Sequence, residues 1–370
     1  MNPDNPIIAF SNLYKGLKRV KRGVTWKDNV AVYASNGLKN TYKLRQEHIN
    51  GTNKLRPYQL FTITDPKRRE VMATNIRDRQ FQDSLCYNYF YDQITRGLIR
   101  DNFACQKGRG LDDALNRFEA HLHKFYRVHG ADGFALKCDI HHYFAETEHV
   151  IAKRAVNKRV PDKDVQHEVA KIIDSFGDGK NIGLGSPVSQ LIELVVLDEL
   201  DHFIKERLHI KHYVRYMDDF ILVHQSKEYL QYCLEEIRKF LAKIHLTLNA
   251  KTAIFPLSQG VIFLHWRFKL TESGKVIRLV SKETILHERR KLVHMKRRMD
   301  RGLITIQEAA DSFFSWAGGV ERKFTTNNTR RRVLGKRAYG GYNAKYVERM
   351  RDYFKELYGI DPYTLKELTA

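Results

Sequence analysis

Apolar side chains recur along this chain in two rhythms, and the changes between them mark out its elements. Between residues 11 and 50, Leu13, Leu17 and Val20 fall at helical spacing amid many Lys and Arg, which predicts a basic amphipathic helical start. The stretch RPYQLFTITDPKRREVMA (56–73) instead predicts two short strands around an Asp65-Pro66 turn, with Lys67, Arg68 and Arg69 at the tip. A helical region follows to about residue 127, interrupted by KGRG (107–110). After Gly130, GFALKCDIHHYF is apolar enough for a buried strand ending near Asp139. The helical period returns over 145–176, broken at Pro161. FGDGKNIGLGSPVSQ (176–190) then reads as a Gly-rich loop leading into a helix, LIELVVLDELDHFIKERL. A hairpin in HYVRYMDDFILVH (212–224) comes next, then a helix over 227–244. A strand pair through LTLNAKTAIF and VIFLHWRFKL follows, and a basic helical tail runs from about 281.

The hairpin sets two neighbouring carboxylates, Asp218 and Asp219, at a tight turn between apolar runs. Adjacent anions repel, so a cation from outside the sequence is expected there. Were Asp139 to sit beside this turn, three carboxylates from distant positions would converge. Such a cluster suits two hard divalent cations bound through oxygen. Two-metal sites, with ions about 3.5 to 4 Å apart, clamp the attacking and leaving oxygens of a phosphoryl transfer.

Composition narrows the partner. With 64 Lys+Arg against 43 Asp+Glu, the chain carries a formal charge of +21, which favours a polyanion, nucleic acid first. A length of 370 residues and 42% hydrophobic content allow two or three sub-domains. Neither a long apolar run nor an amino-terminal signal pattern is present, so a soluble, cytoplasmic protein with no membrane partner is expected. The scattered Cys86, Cys105, Cys138 and Cys233 suggest neither disulfides nor zinc.

YMDD between apolar strands, preceded by DIHHYF and GLGSPVSQ and followed by LNAKT and FLHW, resembles the palm motifs of reverse transcriptases in order and approximate spacing, over roughly residues 55 to 270. The resemblance implies an α+β right-hand polymerase with fingers, a palm of antiparallel sheet and packed helices, and a helical thumb. It places N-terminal helices and fingers in 1–130, the palm in 131–270 with part of the fingers inserted at 145–180, and the thumb and tail in 271–370. It implies magnesium, two ions with manganese as a substitute, held by Asp139, the carbonyl of Ile140, Asp218 and the adjacent Asp219. Asp218 is the expected direct ligand and Asp219 a supporting carboxylate. Phe144 matches the aromatic that stacks under the incoming sugar and excludes a 2′-hydroxyl. Lys251 matches the general acid that protonates departing pyrophosphate. Gly185, Ser189 and Gln190 match the template- and nucleotide-positioning loop, with Gln190 standing for a proline as first residue of the helix. Lys67, Arg69 and Arg77 are the candidate triphosphate binders of the fingers. In FLHW, the primer grip, His265 stands where glycine is usual.

The form Leu184-Gly185-Ser186-Pro187-Val188-Ser189-Gln190 resembles enzymes of diversity-generating retroelements and some phage-defence reverse transcriptases, the group II intron-like bacterial branch. In the retroelement group it accompanies error-prone synthesis. The implied partners are an RNA template, a DNA or RNA primer and dNTPs, with a dedicated structured RNA and an accessory protein as further candidates. HERRKLVHMKRRMDRG and TRRRVLGKR, with Leu286, Leu292 and Met295 as a packed face, suit a thumb that grips duplex through phosphates. The residues after the palm suffice for a thumb but not for an added nuclease or integrase domain. A vestigial, RNA-binding maturase would be expected to have lost an aspartate, and all three are present. An RNA-dependent RNA polymerase would carry Gly-Asp-Asp and a small residue at position 144.

Overall fold

The computed structural model describes residues 1–65, 68–321 and 340–368. They form an α+β fold of helices and antiparallel sheet that divides into two compact units, neither of them continuous in sequence. One comprises Met1–Gly108, Asp139–His209 and Cys233–Lys251; the other comprises Arg109–Cys138, Ile210–Tyr232 and Thr252–Ala370.

In the first unit the helical start is three helices, Phe10–Val20, Asp28–Ser35 and Gly37–Ile49, rather than one continuous pattern. The break falls at Gly23, whose φ of 76° suits glycine and ends helical continuation. Phe10–Val20 meets the helix Ile76–Leu85 at close backbone distance: a Cβ on Gly16 would lie 2.9 Å from the Gln80 carbonyl oxygen. The wholly buried Gln80 amide joins all four helices. Its Nε2 donates to the Leu13 carbonyl (3.0 Å) and Thr41 Oγ1 (2.8 Å), and its Oε1 accepts from Tyr33 Oη (2.9 Å). Leu17, Val20, Val30 and Ile76 form a buried apolar cluster among three of these helices. Strands β1 (Gln59–Ile63) and β2 (Arg69–Ala73) form the expected antiparallel ribbon, Gln59 opposite Ala73 and Ile63 opposite Arg69. Pro66 and Lys67 lie outside the described residues. Helices His149–Arg159 and Lys163–Asp174 flank the expected break at Pro161.

The second unit holds a four-stranded sheet of β3 (Phe134–Asp139, its last residue assigned to the first unit), β4 (His212–Tyr216), β5 (Asp219–His224) and β6 (Ala253–Pro256). Their order is β4-β5-β3-β6. The expected strand pair is absent. LTLNAKTAIF supplies β6, which pairs with β3, while VIFLHWRFKL folds on itself as β7 (Val261–Phe263) and β8 (Trp266–Leu270). A further strand, β9 (Val276–Val280), completes a second sheet in the order β7-β8-β9. Alternation of Val276, Arg278 and Val280, all buried, was its signal, but an arginine in the inward set disguised it. Arg278 is accommodated by Asn116 Oδ1 (3.2 Å), Glu119 (3.8 Å) and the faces of Trp266 and Phe268. Asn116 and Glu119 belong to the helix Leu111–His129, whose Phe118 packs edge-to-face on Phe263 and Phe268. KGRG is a helix-start loop here, with the Gly110 amide donating to Asp113 Oδ2 (3.0 Å).

The helices Lys282–Asp300, Ile306–Glu321, Gly340–Tyr358 and Pro362–Leu368 complete this unit. Leu292 is buried as expected and Met295 half-buried, but Leu286 is exposed, because the packed face is set by Glu288 and Leu292. TRRRVLGKR lies outside the described residues.

Glu168 ties the first unit's helices together and makes it acid-sensitive. Burial alone would raise this carboxyl. His48 at 3.5 Å and Lys171 at 2.9 Å outweigh burial and hold it down at about 2, and Asn53 Nδ2 donates to it at 2.9 Å. A group depressed in the folded state takes up its proton on unfolding, so its contribution is complete above the ordinary value of 4.5 and is lost as pH falls toward about 2. Glu168→Gln should therefore lower the urea midpoint at pH 7, and the gap from the parent chain should narrow between pH 4.5 and about 2. A gap independent of pH over that window would exclude this role.

Candidate active site

Tyr216 pairs with Asp219 across a two-residue loop, Met217-Asp218. Met217 has φ 56°, a conformation that such loops ordinarily give to glycine or asparagine. What holds it lies beneath. The Arg215 side chain is wholly buried and its Nη1 donates to the Met217 carbonyl at 2.9 Å. Flanking Tyr213, Val214, Phe220, Ile221, Leu222 and Val223 are buried too, so the apex stands on a rigid base while Asp218 and Asp219 are half-buried at the top. Asp219 Oδ2 lies 3.7 Å from Lys137 Nζ on β3. That contact also shows that the C-terminal part of β3 lies alongside the start of β5.

Asp139 is the last residue of β3, half-buried, and its carbonyl oxygen accepts from the Asn249 amide at 2.7 Å. The next residues extend this attachment: Ile140 bridges Leu248, and the His141 amide donates to the Thr247 carbonyl (2.9 Å). Asn249 Oδ1 in turn accepts the Lys251 amide (3.1 Å), which hangs the loop bearing the exposed Lys251 on the main chain of Asp139. Beyond, the chain turns through His142 (φ 41°) into the short helix Tyr143–Glu146. Buried Tyr143 donates its hydroxyl to the Glu193 carbonyl (2.6 Å), which leaves its neighbour Phe144 half-exposed.

In the Gly-rich loop, the Leu184 carbonyl accepts from the Met72 amide (2.9 Å), joining the loop to β2. Gly185 has φ 126°, and a Cβ there would lie 3.0 Å from Val71 Cγ1 and 3.2 Å from the Met72 carbonyl oxygen, so only glycine fits. Ser186 caps the helix Pro187–Val196: its Oγ accepts from the Val188 amide (3.1 Å) and donates to Gln82 Oε1 (2.9 Å). Here the sequence expectation needs correcting. Pro187, not the position of Gln190, opens the helix, because Ser186 claims the cap. Ser189 faces inward and is wholly buried, whereas Gln190 is exposed and accepts from the Cys105 thiol at 3.5 Å.

The fingers candidates separate. Arg77 pairs with Glu47 and Asp78, donates to the Lys54 carbonyl (3.1 Å), and its side chain is only 12% exposed. Its charge is committed within the fold. Burial raises the Asp78 carboxyl, opposed by the Arg56 amide and Arg77. Arg69, first residue of β2, is exposed, as is Arg79; Lys67 lies outside the described residues. Sequence reading missed Arg215, Lys137 and Asn249. Arg215 announced itself only as a cation inside an otherwise apolar strand, and the other two looked like ordinary surface residues.

Aspartate oxygens and a main-chain carbonyl are hard donors of the kind magnesium takes. Among the described residues, no three His, Cys, Asp or Glu side chains are arranged as a group that could hold a metal ion. Lys137 sits beside Asp219. A set of one or two carboxylates still fits magnesium, which keeps its remaining coordination for water and substrate phosphates. Among the described residues no helix is long and apolar enough to cross a membrane. Arg215→Met removes the donor under the turn and should cost about 1–3 kcal/mol in urea unfolding. An unchanged midpoint would show that Arg215 does not hold the apex.

No curated protein matches the chain. Among solved structures, similarity extends to telomerase from Candida tropicalis truncated from its C-terminal domain (TM-score 0.45, 11% identity, 65% of this chain and 60% of that one). It extends also to telomerase from Candida albicans with a TWJ fragment of telomeric RNA (0.48, 11%, 91% and 65%) and to apo telomerase from Candida tropicalis (0.46, 11%, 87% and 68%). The chain thus spans 60%, 65% and 68% of the lengths of those structures. Residues 100–267 match the family model described as reverse transcriptase (RNA-dependent DNA polymerase), a span that includes DIHHYF, the Gly-rich loop, the YMDD hairpin and LNAKT. The chain therefore carries a reverse transcriptase domain.

Proposed function

We propose that this protein is an RNA-directed DNA polymerase that extends a primer 3′ end with dNTPs on an RNA template. The observation that supports this most is the strand order β4-β5-β3-β6, which makes the strand ending in Asp139 the sheet neighbour of the strand opening at Asp219. Asp139, Asp218 and the Ile140 carbonyl would hold magnesium, or manganese in its place, with Asp219 in support. The bound ions supply charge stabilisation for the attacking and leaving oxygens. Lys251 donates a proton toward departing pyrophosphate, an ammonium being stabilised by the nearby polyphosphate. Phe144 packs against the incoming sugar and rejects a 2′-hydroxyl. Gly185 lets main chain approach the nucleotide, Gln190 faces the template, and Ser189 holds the helix from inside. Arg69 and Lys67 bind triphosphate, while Arg77 shapes the fingers that carry them.

The Gly-x-x-x-Ser-Gln form supports a place among bacterial diversity-generating or antiphage-defence enzymes, with reduced fidelity, a dedicated structured RNA and an accessory protein as partners, in the cytoplasm. Incorporation of dNTPs on a primed RNA template should require magnesium. Asp218→Ala should reduce it at least about 100-fold, and Asp219→Asn by roughly 10- to 100-fold, as expected for a supporting group. Phe144→Ala should admit ribonucleotides. Incorporation that survives Asp218→Ala would end the polymerase reading.

A further inference from the structure

The N-terminal helices and the first residue of KGRG build an aromatic and cationic surface that the proposed chemistry does not use. The helix Ile76–Leu85 passes into a π-helical segment, Cys86–Phe90, a feature often found at functional positions. Tyr87 projects from this segment and is 57% exposed. The Arg19 guanidinium lies over its ring, 4.2 Å from the centroid. Arg19 is itself held by Asp83, its Nε 2.8 Å from Oδ2, so the cation cannot swing away freely. Lys107 Nζ lies 4.9 Å from the Tyr87 centroid and 4.4 Å from that of Tyr91, and the Lys107 amide donates to Tyr91 Oη at 2.6 Å. Asp83 is paired with Arg19, so the local charge of Arg19 and Lys107 exceeds that of the neighbouring acid.

An exposed aromatic ring with a guanidinium fixed over it by Asp83, and the Lys107 ammonium over the rings of Tyr87 and Tyr91, is suited to unpaired nucleotides. A base stacks on the ring, and the ammonium moves to the phosphate that follows. Duplex would not fit, because its bases are not free to stack. The surface is also tied to the template loop: Cys105, two residues before Lys107 and at φ 51°, donates to Gln190 Oε1. We propose that Tyr87, Tyr91, Arg19 and Lys107 form a subsite for the single-stranded template that has not yet been copied, entering past Gln190. This rests on the polymerase reading for the identity of the strand, but its binding chemistry does not depend on catalysis.

The test compares primed RNA templates with a one-nucleotide and a ten-nucleotide 5′ overhang, reading both affinity by fluorescence polarisation and single-dNTP incorporation. The parent chain should bind the long overhang more tightly, by about 5- to 150-fold if one base stacks. Tyr87→Ala and Lys107→Glu should remove that advantage while incorporation on the short overhang persists, and Tyr87→Phe should retain it. An overhang advantage that survives Tyr87→Ala and Lys107→Glu, or no advantage in the parent chain, would overturn the subsite. If polarisation shows the Tyr87-dependent advantage and no incorporation occurs on either template, the polymerase reading fails and the subsite stands.

Discussion

Two aspartates beside each other at a turn repel, and a strand pairing must hold them there regardless. In this chain β3 lies between β5 and β6, so the hairpin is not an isolated ribbon but one edge of a sheet whose next strand comes from far earlier in the sequence. Beneath the turn, Arg215 supplies the donor that lets Met217 keep a left-handed backbone. Beside it, Lys137 balances Asp219. Each contact answers a cost created by the one before: the tight turn strains Met217, and the carboxylates it presents need cations.

The segments that carry chemistry are fastened largely through main-chain groups, which leaves several of their side chains exposed or half-exposed. Asn249 fixes the Lys251 loop to the carbonyl of Asp139, the Leu184 carbonyl fixes the Gly-rich loop to β2, and Tyr143 anchors the turn that presents Phe144. Main-chain attachment tolerates variation in side chains while preserving geometry, a useful property where substrate and metal must meet fixed positions. Gly185 shows the limit of that tolerance, because its contact with Val71 and Met72 leaves no space for a Cβ.

Much of the architecture was legible from periodicity. The β1–β2 ribbon, the strand ending at Asp139, the break at Pro161 and the YMDD hairpin all lie where alternation, helical spacing or turn residues put them. Errors arose where a polar residue sat inside. Arg278 concealed β9, and the three N-terminal helices, joined through buried Gln80, read as one because their apolar spacing continues across Gly23. Gln190 was misplaced on the helix because Ser186 and Pro187 together make a better start, a competition that spacing alone does not resolve.

By itself the sequence determined the nature of the chemistry: which residues are carboxylates, their order, the aromatic at position 144 and an excess of positive charge all follow from composition and motif. Tertiary structure decided how those residues are used. It turned Asp219 toward Lys137, enclosed Ser189 and Arg77, and exposed Tyr87 beside Arg19 and Lys107. The reason is physical. A residue type sets what a side chain can bind, but burial and partners far away in the chain set whether that capacity is free for a ligand or already spent within the fold.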